Sequence, residues 1–192
     1  MGRPKEWLPF GPETMLRRVV RLLGEAVEPV VVVAAAGQEL PELPGDVAVL
    51  RDREEDRGPL EGIAVGLAAV RARGAEAAFV ASCDLPLLKP ALVRRMVELA
   101  AGYDVAVPRV EGRDHPLAAV YRTGLLSRVE ALLEADRLRP FFLFDEAPTR
   151  RVTPAELADV DPTLESLVNV NTPADYERAL ECGDSSPLSG AS

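Results

Sequence analysis

Phe79-Val80-Ala81-Ser82-Cys83-Asp84-Leu85-Pro86 is the stretch whose reading decides the fold. A short apolar run, Ala77 to Ala81, leads through Ser82 and Cys83 to an acidic residue and a proline. It reads as a strand covered on both faces, as in the parallel sheets of α/β proteins. Asp84 then falls at the carboxyl edge of the sheet. Ligands bind at that edge in open α/β folds, and a carboxylate there can hold a hard cation such as Mg2+ through oxygen. Capping of the turn before the next helix is an equally good reading of an aspartate in this position.

Upstream, Val30 to Ala36 and Val47 to Leu50 are apolar runs of the same kind. Helical spacing joins Leu16, Val19, Val20 and Leu23, then Leu60, Ile63, Ala64 and Leu67, then Leu92, Val93, Met96 and Val97. Thr14 is placed to cap the first of these helices and Pro59 to open the second. The order helix, strand, strand, helix, strand, helix, strand predicts an α/β domain with crossover helices.

The later half is less regular. Val105 to Val107 and Leu117 to Tyr121 read as strands, Leu125 to Leu133 as a helix, and Thr172 to Leu180 as a short terminal helix. The segment holding Phe141, Phe142 and Phe144 between prolines fits either a buried strand or a loop with an apolar anchor. Residues 1–182 are expected to form one domain, and 183–192, small and polar, a disordered tail.

Composition limits the function classes. The 192 residues are 47% hydrophobic and 28% charged, as in ordinary globular proteins, and the formal charge of −9 disfavours nucleic acid or anionic lipid as a partner. A mononucleotide remains compatible, because backbone amides, a metal ion or a few local cations suffice to hold it. Two cysteines, Cys83 and Cys182, lie far apart without paired spacing, which points to a reducing, cytoplasmic setting. The longest apolar run falls far short of the ~20 residues that span a bilayer.

Other residues could carry chemistry. Asp52 follows the strand Val47 to Leu50 and would share the edge with Asp84, although Arg51 to Arg57 is a mixed-charge run of the kind found in solvated loops. Gly58-Pro59-Leu60-Glu61-Gly62 leaves backbone amides and little bulk at a helix start, where a base or phosphate can approach, but such turns are also common in unliganded loops. Asn169 and Asn171 alternate onto one face of an extended segment, so both amide oxygens can reach one ligand, while Thr172 caps the helix that Pro173 opens. Lys5 and Arg3 form a small basic cluster suited to phosphate oxygens, or simply a solvated terminus. His115, the lone histidine, reads as a structural residue, and no nucleophile set stands out.

Taken in order, Met1-Gly2-Arg3-Pro4-Lys5, Gly58-Pro59-Leu60-Glu61-Gly62, Cys83-Asp84-Leu85-Pro86, His115-Pro116-Leu117 and Asn169-Val170-Asn171-Thr172-Pro173 resemble the molybdenum cofactor guanylyltransferase family over residues 1 to 181. The resemblance implies a Rossmann-like nucleotidyltransferase fold, three layers α/β/α around a mostly parallel sheet. It also implies Mg2+-dependent transfer of GMP from GTP to molybdopterin with release of pyrophosphate. Asp84 resembles the family's metal-binding aspartate and Lys5 its phosphate-contacting, catalytic lysine. Asp52, Gly58, Pro59, Leu60 and Gly62 resemble its nucleotide-binding residues, and Asn169 and Asn171 its cofactor-side asparagines.

The sequence departs from the family pattern in two places. Members carry a strand and a Leu-Ala-Gly-Gly-x-Ser-x-Arg loop ahead of the Met-Gly that here is Met1-Gly2, so the neighbours of that strand are expected to show unpaired edges. Val33-Ala34-Ala35-Ala36 stands where relatives often place a polar residue near the nucleotide. A cytidylyltransferase, a sugar-phosphate nucleotidyltransferase and a non-catalytic binding protein are the alternative readings.

Overall fold

The computed structural model describes residues 4–54 and 56–184. Arg3 and residues 185–192 of the expected tail lie outside the described residues, while Gly183 and Asp184 belong to the last helix.

A 3-10 turn, Lys5–Trp7, leads into a small hairpin of β1 (Pro9–Phe10) and β2 (Glu13–Thr14). The first helix, α1 (Met15–Gly24), starts where the Thr14 side chain accepts a hydrogen bond from the Arg17 amide at 3.4 Å, as a cap should. Strands β3 (Val31–Ala34) and β4 (Ala48–Arg51) pair in parallel, Val31 opposite Ala48. Gly58, at φ 64°, turns the chain into α2 (Gly58–Arg71), and Pro59 occupies its first turn.

Then come β5 (Ala77–Ala81), α3 (Pro90–Leu99), β6 (Val105–Val110), β7 (Arg113–Asp114), β8 (Ala118–Arg122) and α4 (Leu126–Glu134). The chain ends in α5 (Phe141–Glu146), β9 (Thr149–Val152), α6 (Pro154–Leu157) and α7 (Pro173–Asp184).

The larger sheet is mixed, and this corrects the expectation of a mostly parallel one. Its order is β5-β8-β6, with β7 and β9 both pairing with β6. β8 runs antiparallel to β5 and to β6, whereas β9 is parallel to β6. The cause is the connection. β5 reaches β6 through the crossover helix α3 and so keeps its direction, but β6 reaches β8 through a tight turn at Glu111 and Gly112, which reverses the chain.

Helices cover both faces. On one, α2, α4 and α5 bury Leu60, Leu67, Val105, Tyr121 and Leu143; on the other, α1, α3 and α6 bury Val19, Leu92, Met96, Ala106 and Leu157. The phenylalanine segment is a helix, neither strand nor loop. Pro140 presets its first turn, and Phe141 and Phe144, three residues apart, meet edge to face with centroids 5.9 Å apart.

Among the described residues β3 is bonded only to β4, and β5 only to β8. Helix α2 packs on both β3 and β5 and so bridges the two sheets. Between them lies a slot of about 510 Å3, walled by Val31 and Val33, by Ala77 to Ala81, and by Gly62 and Gly66 of α2. Its walls therefore include strand edges without ladder partners, which a buried backbone does not tolerate without hydrogen bonds.

Candidate active site

Asp84 lies three residues beyond β5, and side-chain alternation puts Ser82 on its side of the chain. Three side chains meet at its carboxylate. Lys5 Nζ lies 3.1 Å from Oδ2, Asn169 donates to Oδ1 at 2.8 Å, and the Ser82 hydroxyl donates to Oδ1 as well. Lys5 also donates to Asn171 Oδ1 at 2.6 Å, so the lysine bridges aspartate and asparagine. The Val170 amide bonds the Asp84 carbonyl at 2.9 Å and ties the backbone of the two segments together.

Residues far apart in sequence, Lys5, Asp84, Asn169 and Asn171, thus form one cluster. Ser82 was missed as a partner, although its place two residues before Asp84 signalled it.

A buried anchor fixes the asparagine segment. Asp161 is fully buried and accepts from Lys89 Nζ at 2.7 Å, from the Ser166 amide at 2.9 Å and from the Glu165 amide at 3.3 Å. The Ser166 hydroxyl, also buried, accepts from the Lys89 amide at 2.9 Å. The start of α3 and the loop ahead of Asn169 are thereby locked together, with Leu164 held at φ 53° to make the turn. No spacing rule pointed to Asp161.

Asp52 sits apart from this cluster, on the wall of the slot. Its amide extends the β3–β4 pairing by bonding the Ala34 carbonyl at 2.9 Å. Its Oδ1 is closed off from solvent and has no hydrogen-bond partner. Burial raises the Asp52 carboxyl above its ordinary value, and the nearby Glu61 carboxylate adds to the rise. Gly62 faces this oxygen, and a Cβ added there would touch it at an ordinary 3.7 Å.

Gly58 and Pro59 line the same slot. Leu60 does not, because its side chain is fully buried in the core under α2, and only its backbone belongs to this turn. Glu61, equally unforeseen, is buried and accepts from the Arg53 amide at 3.1 Å and from Arg53 Nε at 2.9 Å, which orders the loop after Asp52. Beside the apolar stretch Val33 to Ala36 stands Gln38, whose Oε1 accepts from the Ala35 amide at 3.1 Å and whose Nε2 donates to Glu6 at 2.6 Å.

Cys83 is no nucleophile here, since burial pushes its thiol up to about 11. His115 is half-buried, and burial lowers its pKa, so the ring is neutral at neutral pH. Among the described residues no group of three or more His, Cys, Asp or Glu side chains converges on one point. The donor set at Asp84, one carboxylate beside two side-chain amides, still suits Mg2+. That ion is commonly held by one or two carboxylates, waters and the phosphates of its substrate.

Comparison with known proteins gives this geometry a context. The family model described as the MobA-like NTP transferase domain matches residues 1–149. A probable molybdenum cofactor guanylyltransferase of Mycobacterium ulcerans is 41% identical over 186 residues, 95% of this chain and 88% of that protein. Molybdopterin-guanine dinucleotide biosynthesis protein A of Archaeoglobus fulgidus superposes with a TM-score of 0.77 at 20% identity, over 95% of this chain and 92% of the other. The 2-C-methyl-D-erythritol 4-phosphate cytidylyltransferase of Thermus thermophilus superposes with a TM-score of 0.68 at 20% identity, over 94% of each chain. At that identity the two superpositions speak for the fold alone.

Proposed function

Because the chain belongs to the MobA-like NTP transferase family, we propose that it transfers GMP from GTP to the phosphate of molybdopterin. The observation that carries this reading is the convergence of Lys5, Asp84, Asn169 and Asn171 at one end of the sheet.

In the reaction an oxygen of the acceptor phosphate attacks the α-phosphorus of GTP, the bond to the bridging oxygen breaks, and pyrophosphate leaves. The nucleophile is already an anion, so no general base is needed, which agrees with a site whose histidine is neutral and whose cysteine is inert. Positioning and charge neutralisation dominate such a transfer. Lys5 neutralises phosphate oxygens, and Asp84 with Asn169 and Asn171 would hold Mg2+. When bound, the ion offsets the negative charge that builds up on the phosphates. Lys5 now occupies Asp84 and Asn171, so substrate binding exchanges contacts that already exist.

Asp52 fits the guanine. Its partnerless Oδ1 is an acceptor, and guanine presents two donors, N1–H and the 2-amino group, along one edge. The glycines at positions 58 and 62 leave room for a base to approach.

The test is a competition among GTP, CTP and ATP, using a version that carries the family's Leu-Ala-Gly-Gly-x-Ser-x-Arg segment ahead of Met1. Preferred, Mg2+-dependent binding of GTP is expected, together with GMP transfer to molybdopterin. A preference for CTP would move the chain to the cytidylyltransferases. Failure to bind any nucleotide would leave the non-catalytic reading.

A further inference from the structure

The edge that holds Asp84 continues across the larger sheet. The Ser82 amide bonds the Leu117 carbonyl at 3.1 Å, the His115 amide bonds the Pro108 carbonyl at 2.9 Å, and Pro108 pairs with Val152 in the parallel register of β6 and β9. Residues 82–84, 115–117, 108–110 and 151–152 therefore lie in one row.

At the far end of that row stand Arg109, Arg113 and Arg151, against the carboxylates of Asp114 and Glu111. This surplus of positive charge runs against the formal charge of −9 for the whole chain. The Asp114 side chain is only 8% exposed and lies between two guanidinium groups that are 44% and 37% exposed. Arg151 Nε reaches its Oδ2 at 3.3 Å, but Arg109 Nη1 stands 3.8 Å from Oδ1, too far for a hydrogen bond, and Oδ1 has no partner. One buried carboxylate thus holds two arginines in place and occupies neither fully. His115 beside them adds no charge at neutral pH.

Adjacent strands lie about 4.8 Å apart, so the edge of β6 is roughly 10 Å from that of β5 and the edge of β9 roughly 15 Å. An acceptor whose reacting phosphate sits at Asp84 spans that distance with its opposite end. We infer that Arg109 and Arg151 form a hydrogen-bond-donating subsite for the non-reacting, pterin end of the acceptor, with Asp114 as the residue that positions them. The inference rests on the GMP-transfer reading and names the part of the site that selects the acceptor. Free guanidinium donors in a pair present directed, charge-assisted hydrogen bonds to the carbonyl oxygen and ring nitrogens of a pterin, which a lysine does not reproduce.

The experiment titrates molybdopterin and GTP separately, by calorimetry, into the version that carries the Leu-Ala-Gly-Gly-x-Ser-x-Arg segment, unsubstituted and as the Arg109→Ala/Arg151→Ala and Arg109→Lys/Arg151→Lys pairs. Loss of charged hydrogen bonds is expected to weaken molybdopterin binding about tenfold or more in the alanine pair, with an intermediate loss in the lysine pair. GTP affinity should stay within about twofold, because the nucleotide lies at the other end of the row. If thermal unfolding shows that the alanine pair has lost its fold, the lysine pair decides.

Molybdopterin affinity unchanged within about twofold in a folded variant would overturn the subsite and leave the arginines as a surface ion-pair network. An unsubstituted protein that binds GTP but not molybdopterin would overturn the subsite together with molybdopterin as the acceptor. A chain that binds neither would take the GMP-transfer reading down with it.

Discussion

Two aspartates follow two strands of this protein, and their surroundings are opposite. Asp84 is saturated, with Lys5, Ser82 and Asn169 on its carboxylate and the Val170 amide on its carbonyl. Asp52 has a buried oxygen with no partner, and small residues stand around it. Burying an acceptor without a hydrogen bond costs stability, and folded proteins seldom accept the cost without a use for the group. The difference separates two kinds of preorganisation. At Asp84 the charges proposed to meet phosphate and metal already balance one another, and a ligand would take over existing contacts. At Asp52 the ligand would bring the missing donor.

The comparison breaks most sharply at Asp84. Asp84→Asn keeps the shape and one acceptor oxygen, turns the other into an NH2 donor, and removes the charge that Lys5 faces and that a cation needs. GMP transfer should fall by about 10²–10³ in kcat, the size of loss seen when one preorganised electrostatic contact is removed. Steady-state kinetics with saturating GTP and Mg2+ measure it, and full retained activity would remove Asp84 from the metal site.

The next largest effect lies behind the cluster, at Asp161. Removing its carboxylate leaves two backbone amides without their acceptor, while Lys89, one-third exposed, keeps Glu165 at 2.8 Å. Asp161→Ala is expected to cost about 1–3 kcal/mol of unfolding free energy, as for buried groups left unsatisfied. Denaturant unfolding reads this. A loss below about 1 kcal/mol would show that Asn169 and Asn171 are held by something other than this anchor.

What could be read from the sequence follows the same division. The Asp84 cluster was legible because strand ends and residue alternation are local rules. Phe79 to Pro86 reveals a strand and its edge, and Asn169 and Asn171 fall on one side of an extended segment. Pairing is not local, and so the direction of β8 was missed. Val105 to Val107 and Leu117 to Tyr121 have the same appearance whether a turn or a helix joins them. The phenylalanine helix was missed because three aromatics within four residues satisfy a strand as well as a short helix, and Pro140 decided between them. Asp161, Ser82 and Glu61 act through partners from 2 to 72 residues away, and the longest of these contacts appears only after folding.

A smaller effect would sharpen the comparison at Asp52. Asp52→Asn replaces a full acceptor by an amide that offers one oxygen and two donors. GTP affinity is expected to fall about tenfold, the worth of a hydrogen bond to a charged group, while ATP and CTP, which lack guanine's pair of donors, should change little. Fluorescence or calorimetric titration of the three nucleotides provides the check, and an equal loss for all three would place Asp52 away from the base.

The smallest expected effect is a pH dependence, and its sign distinguishes ligand binding from folding. Burial, and then Glu61, raises the Asp52 carboxyl above the ordinary value of 3.8. Donors from guanine favour the ionised form, so the pKa of the bound state lies below that of the free state. GTP affinity is then complete above the free-state pKa and declines as pH falls through it, by at most about tenfold per pH unit. Because the free-state value is raised, the decline begins at a higher pH than an ordinary aspartate would give. Asp52→Asn should abolish this component of the pH profile, and Glu61→Gln should move it to lower pH by removing one of the two causes.

Folding follows the opposite sign. A carboxyl whose folded pKa exceeds its unfolded one favours the native state below the unfolded pKa and loses that favour as pH rises through the folded one. At neutral pH, therefore, Asp52→Asn should raise the thermal midpoint slightly while it weakens GTP binding. A variant that lost both would show that Asp52 has a structural partner, and its contrast with Asp84 would disappear.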